Sequence, residues 1–169
     1  MKTGSLYKIC PVKRKDFEDI RKLRNAQTRF LRQNKKINKL EQKNYSNKYF
    51  NKKNKETILF TILFNNKFIG YGGLVHIQKK KSAEISFLTI KKRNYIKSFL
   101  EKDFIYFHKF IIKFAEKINI KKLTAEVFFN RPFHFILFKK MNFKIKEKKL
   151  RVKKVNKRYY SSLIFEKKI

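Results

Sequence analysis

Acidic groups are scarce in this chain, with 12 Asp and Glu against 46 Lys and Arg in 169 residues and a formal net charge of +34. One acid, Glu84, falls in a β-rich run, Ala83-Glu-Ile-Ser-Phe-Leu88, where alternation puts Glu84, Ser86 and Leu88 on one face. A carboxylate fixed on a strand can accept a proton, and it can equally pair with one of the many lysines. Glu126 is a second strand-borne acid and ranks behind it. Immediately after the Glu84 run, Lys91-Lys-Arg-Asn-Tyr-Ile-Lys-Ser98 leads into the strongest helical pattern of the sequence. Main-chain N–H groups at a helix start, with Lys91, Lys92, Arg93 and Lys97 around them, are what phosphate binding requires. The plainer alternative is one more basic loop in a basic protein. Gly70-Tyr-Gly-Gly73 is not a phosphate loop, because it lies within a strand and does not open a helix. His76, His108 and His134 show no metal-ligand spacing, so no metal is expected. The single cysteine, Cys10, cannot form an intrachain disulfide and reads as a small apolar core residue.

The charge has two readings. One is a polyanionic partner such as RNA, DNA or an anionic membrane face. The other is coding bias, since Lys, Asn, Ile, Phe and Tyr have AT-rich codons and are abundant, whereas Gly, Pro and Trp are scarce. Lys outnumbers Arg, and base-edge and bidentate phosphate recognition favour Arg. Nucleic acid is therefore a possible partner and not the favoured one. Whatever its origin, the field draws in anionic ligands, a phosphate-bearing coenzyme included. The first residues lack an apolar stretch with a cleavage site, and the apolar runs Ile58–Phe64 and Phe104–Phe114 are too short or interrupted to span a bilayer. The expectation is a cytoplasmic protein with no membrane partner.

The elements that must position these residues follow from periodicity and turn chemistry. Ser5–Val12 reads as a strand, Asp16 as the N-cap of a helix to Arg24, and Asn25–Asn38 as loop with a helical turn. A helix from Lys39 to Phe50 has Leu40, Tyr45 and Tyr49 as its inward positions, and 51–56 is a charged linker. Ile58–Phe64, the turn Asn65-Asn66-Lys67 and Phe68–Ile77 make a hairpin, and Ala83–Ile90 adds a third strand. The strongest helix spans Asp103–Asn119, with Phe104, Phe107, Ile111, Phe114, Ala115 and Ile118 on one face. Leu123–Phe129 is a strand, and Pro132 opens a helix to about Met141 that buries Phe135, Phe138 and Met141. Asn142–Lys149 and Arg158–Phe165 close the chain as strands. The order β-α-α-β-β-β-α-β-α-β-β describes one α/β domain over residues 1–169, a mixed sheet with helices on both faces.

This order, with several local sequences, resembles the GCN5-related acetyltransferases from about Lys8 to Phe165. Phe68-Ile-Gly-Tyr-Gly-Gly-Leu resembles that family's third strand. Ala83–Leu88 is similar to the fourth strand of its ribosomal-protein and sugar-nucleotide acetyltransferases. Ile20-Arg-Lys-Leu-Arg-Asn25 resembles the first helix and the start of the acceptor loop. Arg131-Pro-Phe-His134 and Phe138-Lys-Lys-Met-Asn-Phe143 stand where the last helix and its Gly-Phe ending lie. The chain departs from the family in three places. The phosphate-cradling glycines are absent from Lys91–Ser98, the usual Tyr general acid is Phe138, and the usual Gly before the final Phe is Asn142.

The resemblance implies an acetyl-CoA-dependent N-acetyltransferase that acts by direct transfer, without a metal. The sheet should splay between strands 4 and 5 so that the pantetheine arm inserts there. Phe87, Leu88 and Thr89 would supply main-chain hydrogen bonds, one of them to the thioester oxygen. Lys91, Lys92, Arg93 and Lys97 would meet the phosphates, and Asn130 the pantetheine arm unless it caps the next helix. Glu84 would be the general base. Arg24, Asn25, Arg32, Gln33 and His134 would line the acceptor side. The acceptor would be the primary amine of a small molecule, with an amino sugar ahead of a protein N-terminus, and the protein a monomer or homodimer. A basic nucleic-acid- or ribosome-associated module, and an acetyltransferase-like domain without activity, are the competing readings.

Overall fold

The computed structural model describes residues 6–51, 56–155 and 157–169. Its elements are β1 (Tyr7–Pro11), α1 (Asp16–Asn25), a 3-10 turn (Thr28–Phe30), α2 (Lys39–Tyr49), β2 (Ile58–Phe64), β3 (Lys67–Gln78) and β4 (Ser82–Thr89). There follow α3 (Lys91–Tyr95), α4 (Lys97–Lys117), β5 (Lys122–Phe128), α5 (Pro132–Lys140), β6 (Lys144–Val155) and β7 (Arg158–Lys168). The seven strands form one sheet in the order β1-β2-β3-β4-β5-β7-β6. Every neighbouring pair is antiparallel except β4 with β5. The mixed α/β architecture is the expected one.

Local chemistry explains the hairpins. Asn65 and Asn66 both take left-handed conformations, φ 50° and 59°, which is the two-residue turn that matches strand twist. Gly72 is required by close approach. A Cβ there would stand 2.5 Å from the Phe107 ring and 2.6 Å from the Ser86 carbonyl. On one face of the sheet, α4 and α5 bury Phe104, Phe107, Ile111, Leu137 and Phe138 against Leu74, Leu123 and Phe165. On the other, Phe17, Ile20 and Leu23 of α1 pack on Leu59, Tyr71 and Leu88.

Several expectations change. Asp16 is the first residue of α1 and not its cap. Its carboxylate instead accepts from the Lys13 N–H and the Thr61 hydroxyl, tying the helix start to β2. α2 is capped by Asn38, reciprocally with Glu41. It buries Gln42 and Ser46 and packs the expected Tyr49 against Phe17, whereas Leu40 and Tyr45 are exposed, so its inward face is mixed polar and aromatic. Lys91–Ser98 is mostly helix and not loop, and α4 begins six residues earlier than Asp103. The closing strands run further than the apolar pattern shows, because β6 is a largely exposed edge strand whose lysines conceal its period. Cys10 is only partly buried. The first residue of the expected strand, Ser5, and most of the 51–56 linker lie outside the described residues.

Candidate active site

The parallel ladder between β4 and β5 is short. It pairs Ser82 with Lys122, Ala83 with Leu123 and Glu84 with Thr124, and then stops, although β4 continues to Thr89 and β5 to Phe128. Beyond Glu84 the two strands separate. On the other side β4 stays zipped to β3 from Val75↔Glu84 to Gly70↔Thr89. The Ile90 N–H donates to the Ile69 carbonyl. In an antiparallel ladder hydrogen-bonded and non-bonded pairs alternate, so Leu88 and Ser86 also turn their main-chain groups to β3. Phe87 and Thr89 turn theirs toward the gap. Leu88, expected to offer backbone to a ligand, is thereby excluded, since its backbone is committed to Tyr71 and its side chain is buried. The Thr89 carbonyl is already taken by the Nε2 of buried Gln27 at 2.7 Å, and Gln27 in turn accepts from Asn94. Phe87 lies past the end of the ladder with its main chain facing the gap.

A cavity of about 510 Å³ opens on the α1–α2 side of this gap, and Glu84, Ser86, Phe87, Glu126, Arg24, Arg32 and Arg131 are among its walls. Glu84 and Glu126 come from the two diverging strands and are bridged by Arg32, from the segment after the 3-10 turn. Arg32 reaches Glu84 at 2.8 Å, and its Nε donates to Glu126 at 2.6 Å. Burial alone would raise the Glu126 carboxyl above its ordinary value. The Ser162 hydroxyl, Arg32 and Lys149 together outweigh that and hold it below. Arg24 donates to Gln33 and to the Tyr71 hydroxyl, both at 2.9 Å.

The loop carrying Arg32 is fixed from two sides. Asn25 accepts from the Ile37 N–H and donates to the Ile37 carbonyl, both at 2.8 Å. That is a scaffold role, and Asn25 does not line the cavity. From the β6 edge, buried Lys153 donates to the carbonyls of Thr28, Leu31 and Gln33, using all three ammonium protons. Burial lowers its pKa. The sequence carries no signal for Lys153, which is one lysine among many in an exposed strand. Gln27 was equally hidden.

Arg93, expected at a phosphate, is held elsewhere. Its Nε and Nη2 grip the fully buried Asp103 at 2.7 and 2.6 Å, and Nη2 also reaches the Tyr7 hydroxyl at 3.2 Å. Hydrogen bonding to Asp103 raises the Arg93 pKa, while burial and then Asp103 push the Tyr7 phenol far up. This triad fastens α3 to α4 and β1. Lys91, Lys92 and Lys97 remain exposed around the start of α4. Asn130 donates to the Arg29 carbonyl and makes no side-chain cap of α5. His134 is buried in α5 and meets the Arg131 guanidinium through Nε2. It stands behind the cavity wall and does not form part of it. His108 is fully buried, with Nδ1 2.8 Å from the Phe104 carbonyl, and burial lowers its pKa to about 3. Among the described residues no group of three or more His, Cys, Asp or Glu is placed to hold a metal, and no helix is long and apolar enough to cross a membrane.

The arrangement places main-chain groups of β4 at an unpaired stretch between two strands, beside a cavity with a carboxylate on its rim. Residues 9–164 match the family described as the acetyltransferase (GNAT) domain. No curated protein matches the sequence. Among solved structures, spermidine N-acetyltransferase from Vibrio cholerae with CoA and spermine superposes with a TM-score of 0.77 at 15% identity, covering 96% of this chain and 95% of that one. The manganese-bound spermidine/spermine N-acetyltransferase of the same organism gives 0.79 at 16% identity, covering 96% and 92%. A dodecameric form of that spermidine enzyme gives 0.73 at 15%, covering 96% and 94%. At such identities the likeness speaks for the fold.

Proposed function

Because this chain belongs to the GNAT acetyltransferase family, and is thereby an N-acetyltransferase that uses acetyl-CoA, we propose that it acetylates the primary amine of a small molecule, with the amine in the cavity and the thioester in the gap between β4 and β5. The observation that carries this is the end of the ladder at Glu84↔Thr124, which frees the main chain of Phe87 beside a carboxylate. A pantetheine arm can add to β4 there as an extra strand would. The Phe87 N–H then meets the thioester oxygen as charge develops on it.

In the transfer, Glu84 takes a proton from the bound ammonium, directly or through water, and the neutral nitrogen attacks the thioester carbon while the carbonyl electrons move to oxygen. The proton that nitrogen still carries after attack is lost to water. Collapse reforms C=O and breaks C–S. The thiolate leaves without a protein acid, since a thiol of pKa about 8.5 is a competent leaving group near neutrality. That fits Phe138, which sits in the apolar core against Phe104, Phe143 and Phe165. Lys91, Lys92 and Lys97 supply the coenzyme phosphates with cations in place of a glycine loop. Asn130 and His134 support the α5 end of the gap. Arg24 and Arg32 bind the acceptor, with Asn25 acting through the loop.

The cavity volume is that of a small-molecule site, which supports an amino sugar or similar amine over a protein N-terminus. The spermidine enzymes among the structural neighbours support the same broad class. Kinship with the ribosomal-protein and sugar-nucleotide branch rests on Ala83–Leu88. The chain is taken to act as one domain, in the cytoplasm, as a monomer or homodimer. The test is acetyl-CoA-dependent thiol release with a panel of amines, alongside thermal unfolding with the coenzyme. Coenzyme at 100 times its Kd adds about 2.7 kcal/mol, a rise of roughly 5–10 °C for a domain this size. No shift at saturating coenzyme would remove the proposal.

A further inference from the structure

The charges around the cavity do not balance, and the imbalance has a direction. Two carboxylates face it, Glu84 and Glu126, and both are already occupied by Arg32. Glu126 has its second oxygen filled as well, by the Ser162 hydroxyl at 2.6 Å. Two further guanidiniums line the same cavity, Arg24 and Arg131. Arg24 donates to an amide and a phenol, neither of them charged. Arg131 meets a neutral imidazole, that of His134, and lies over the Phe30 ring at 5.8 Å. Its Nε is buried with no partner. Burial lowers the Arg131 pKa to about 10, so it is still a cation at neutral pH, and no carboxylate offsets the desolvation. A partly buried cation without an anion is costly unless one arrives with the ligand.

We propose that the acceptor is a primary amine bearing an anionic group, a carboxylate or a phosphate, which is received by Arg24 and Arg131 while the amine lies toward Glu84. This rests on the cavity being the acceptor site. It separates the chain from a polyamine acetyltransferase. A polyamine brings only positive charge and hydrogen-bond donors, and it would meet three guanidiniums against two carboxylates, both already paired with Arg32. The long-range field has the same sense, since a net charge of +34 repels a polycation and attracts an anion.

The experiment compares kcat/KM for matched amines with the full chain and saturating acetyl-CoA. Butylamine, 4-aminobutyrate and 1,4-diaminobutane differ in the charge at the far end. Ethylamine against 2-aminoethyl phosphate, and glucosamine against glucosamine 6-phosphate, provide the phosphate arm. The expected order is anionic over neutral over dicationic, with about tenfold or more between anionic and neutral for one charge-assisted contact. Whether the carboxylate or the phosphate arm shows the gain identifies the anion. In R24Q and R131Q the anionic-to-neutral ratio falls about tenfold in each. The wild-type selectivity stands by itself if a variant fails to fold. Diamine or spermidine as the best acceptor, or R24Q and R131Q changing only the KM for acetyl-CoA, would overturn this inference and leave the acetyltransferase reading intact. No turnover with any amine would remove both.

Discussion

Replacing Glu84 with Gln isolates the step on which turnover depends. Glu84 makes two kinds of contact, an ion pair to Arg32 and its exposure to the cavity. The pair is weak support for the fold. The Arg32 side chain is 51% exposed and keeps its bonds to Glu126, and Gln still offers it an oxygen. For an exposed pair the loss is under about 1 kcal/mol, or roughly 2–4 °C in Tm for a chain of this length. The catalytic loss is larger. An aliphatic amine of pKa near 10.4 is about one part in a thousand neutral at pH 7.4, so a base that takes its proton is worth about 10²–10⁴ in rate. The assay is thiol release with the best amine from the panel, between pH 6.5 and 9.5. E84Q should lower kcat by that factor at pH 7.4 while the KM for acetyl-CoA holds within about twofold, because the coenzyme meets the main chain of β4. The deficit should narrow as pH rises and solvent deprotonates the amine. A kcat within threefold of wild type at pH 7.4, in a variant that melts normally, would refute the assignment of the base.

Other perturbations separate scaffold from site. Lys153→Met removes three hydrogen bonds from the loop carrying Arg32. Thermal unfolding should register a loss of about 2 kcal/mol, and steady-state kinetics a higher KM for the acceptor with little change in that for acetyl-CoA. Asp103→Asn leaves Arg93 buried without its anion and should cost about 3–5 kcal/mol in urea unfolding; a loss below 1 kcal/mol would show that the Arg93–Asp103 pair does not anchor α3. His108 and His134 have folded-state pKa values below the ordinary one, so between the two values the unfolded chain binds more protons. Stability is then complete above about pH 6.5 and falls with pH below it, His108 contributing about 2 kcal/mol from pH 7 to pH 5 and His134 acting in the same direction. Urea unfolding at the two pH values measures it, and His108→Phe should remove the His108 share of about 2 kcal/mol.

The fold was legible wherever burial imposes a period. The β2–β3–β4 meander and α4 bury apolar residues at regular spacing, and the Asn65-Asn66 turn announces itself chemically. The gap between β4 and β5, with Glu84 beside it, was within reach only through the family resemblance, which implied a splay at that place in the sheet. What could not be read were choices that depend on tertiary partners. Arg93 has the same composition-level credentials as Lys91 and Lys92, and only the position of Asp103, nearly two turns into α4, takes it out of solvent. Leu88 and Phe87 are indistinguishable until the β3–β4 register says which main chain is already bonded. Lys153 and Gln27 act across long stretches of sequence through backbone carbonyls, which leave no trace in side-chain pattern. α2 was read only in part, because Gln42 and Ser46 share its buried face with Tyr49, and Leu40 and Tyr45 hold no inward stripe.

The central claim is that a thioester arm lies along the unpaired stretch of β4. A crystal structure of the protein with CoA tests it directly. Pantetheine should run between β4 and β5 beyond the Glu84↔Thr124 pair, hydrogen-bonded to the main chain of Phe87, with its thiol end turned toward Glu84. CoA bound elsewhere on the surface through lysines alone, with the gap between the strands left unfilled, would contradict it.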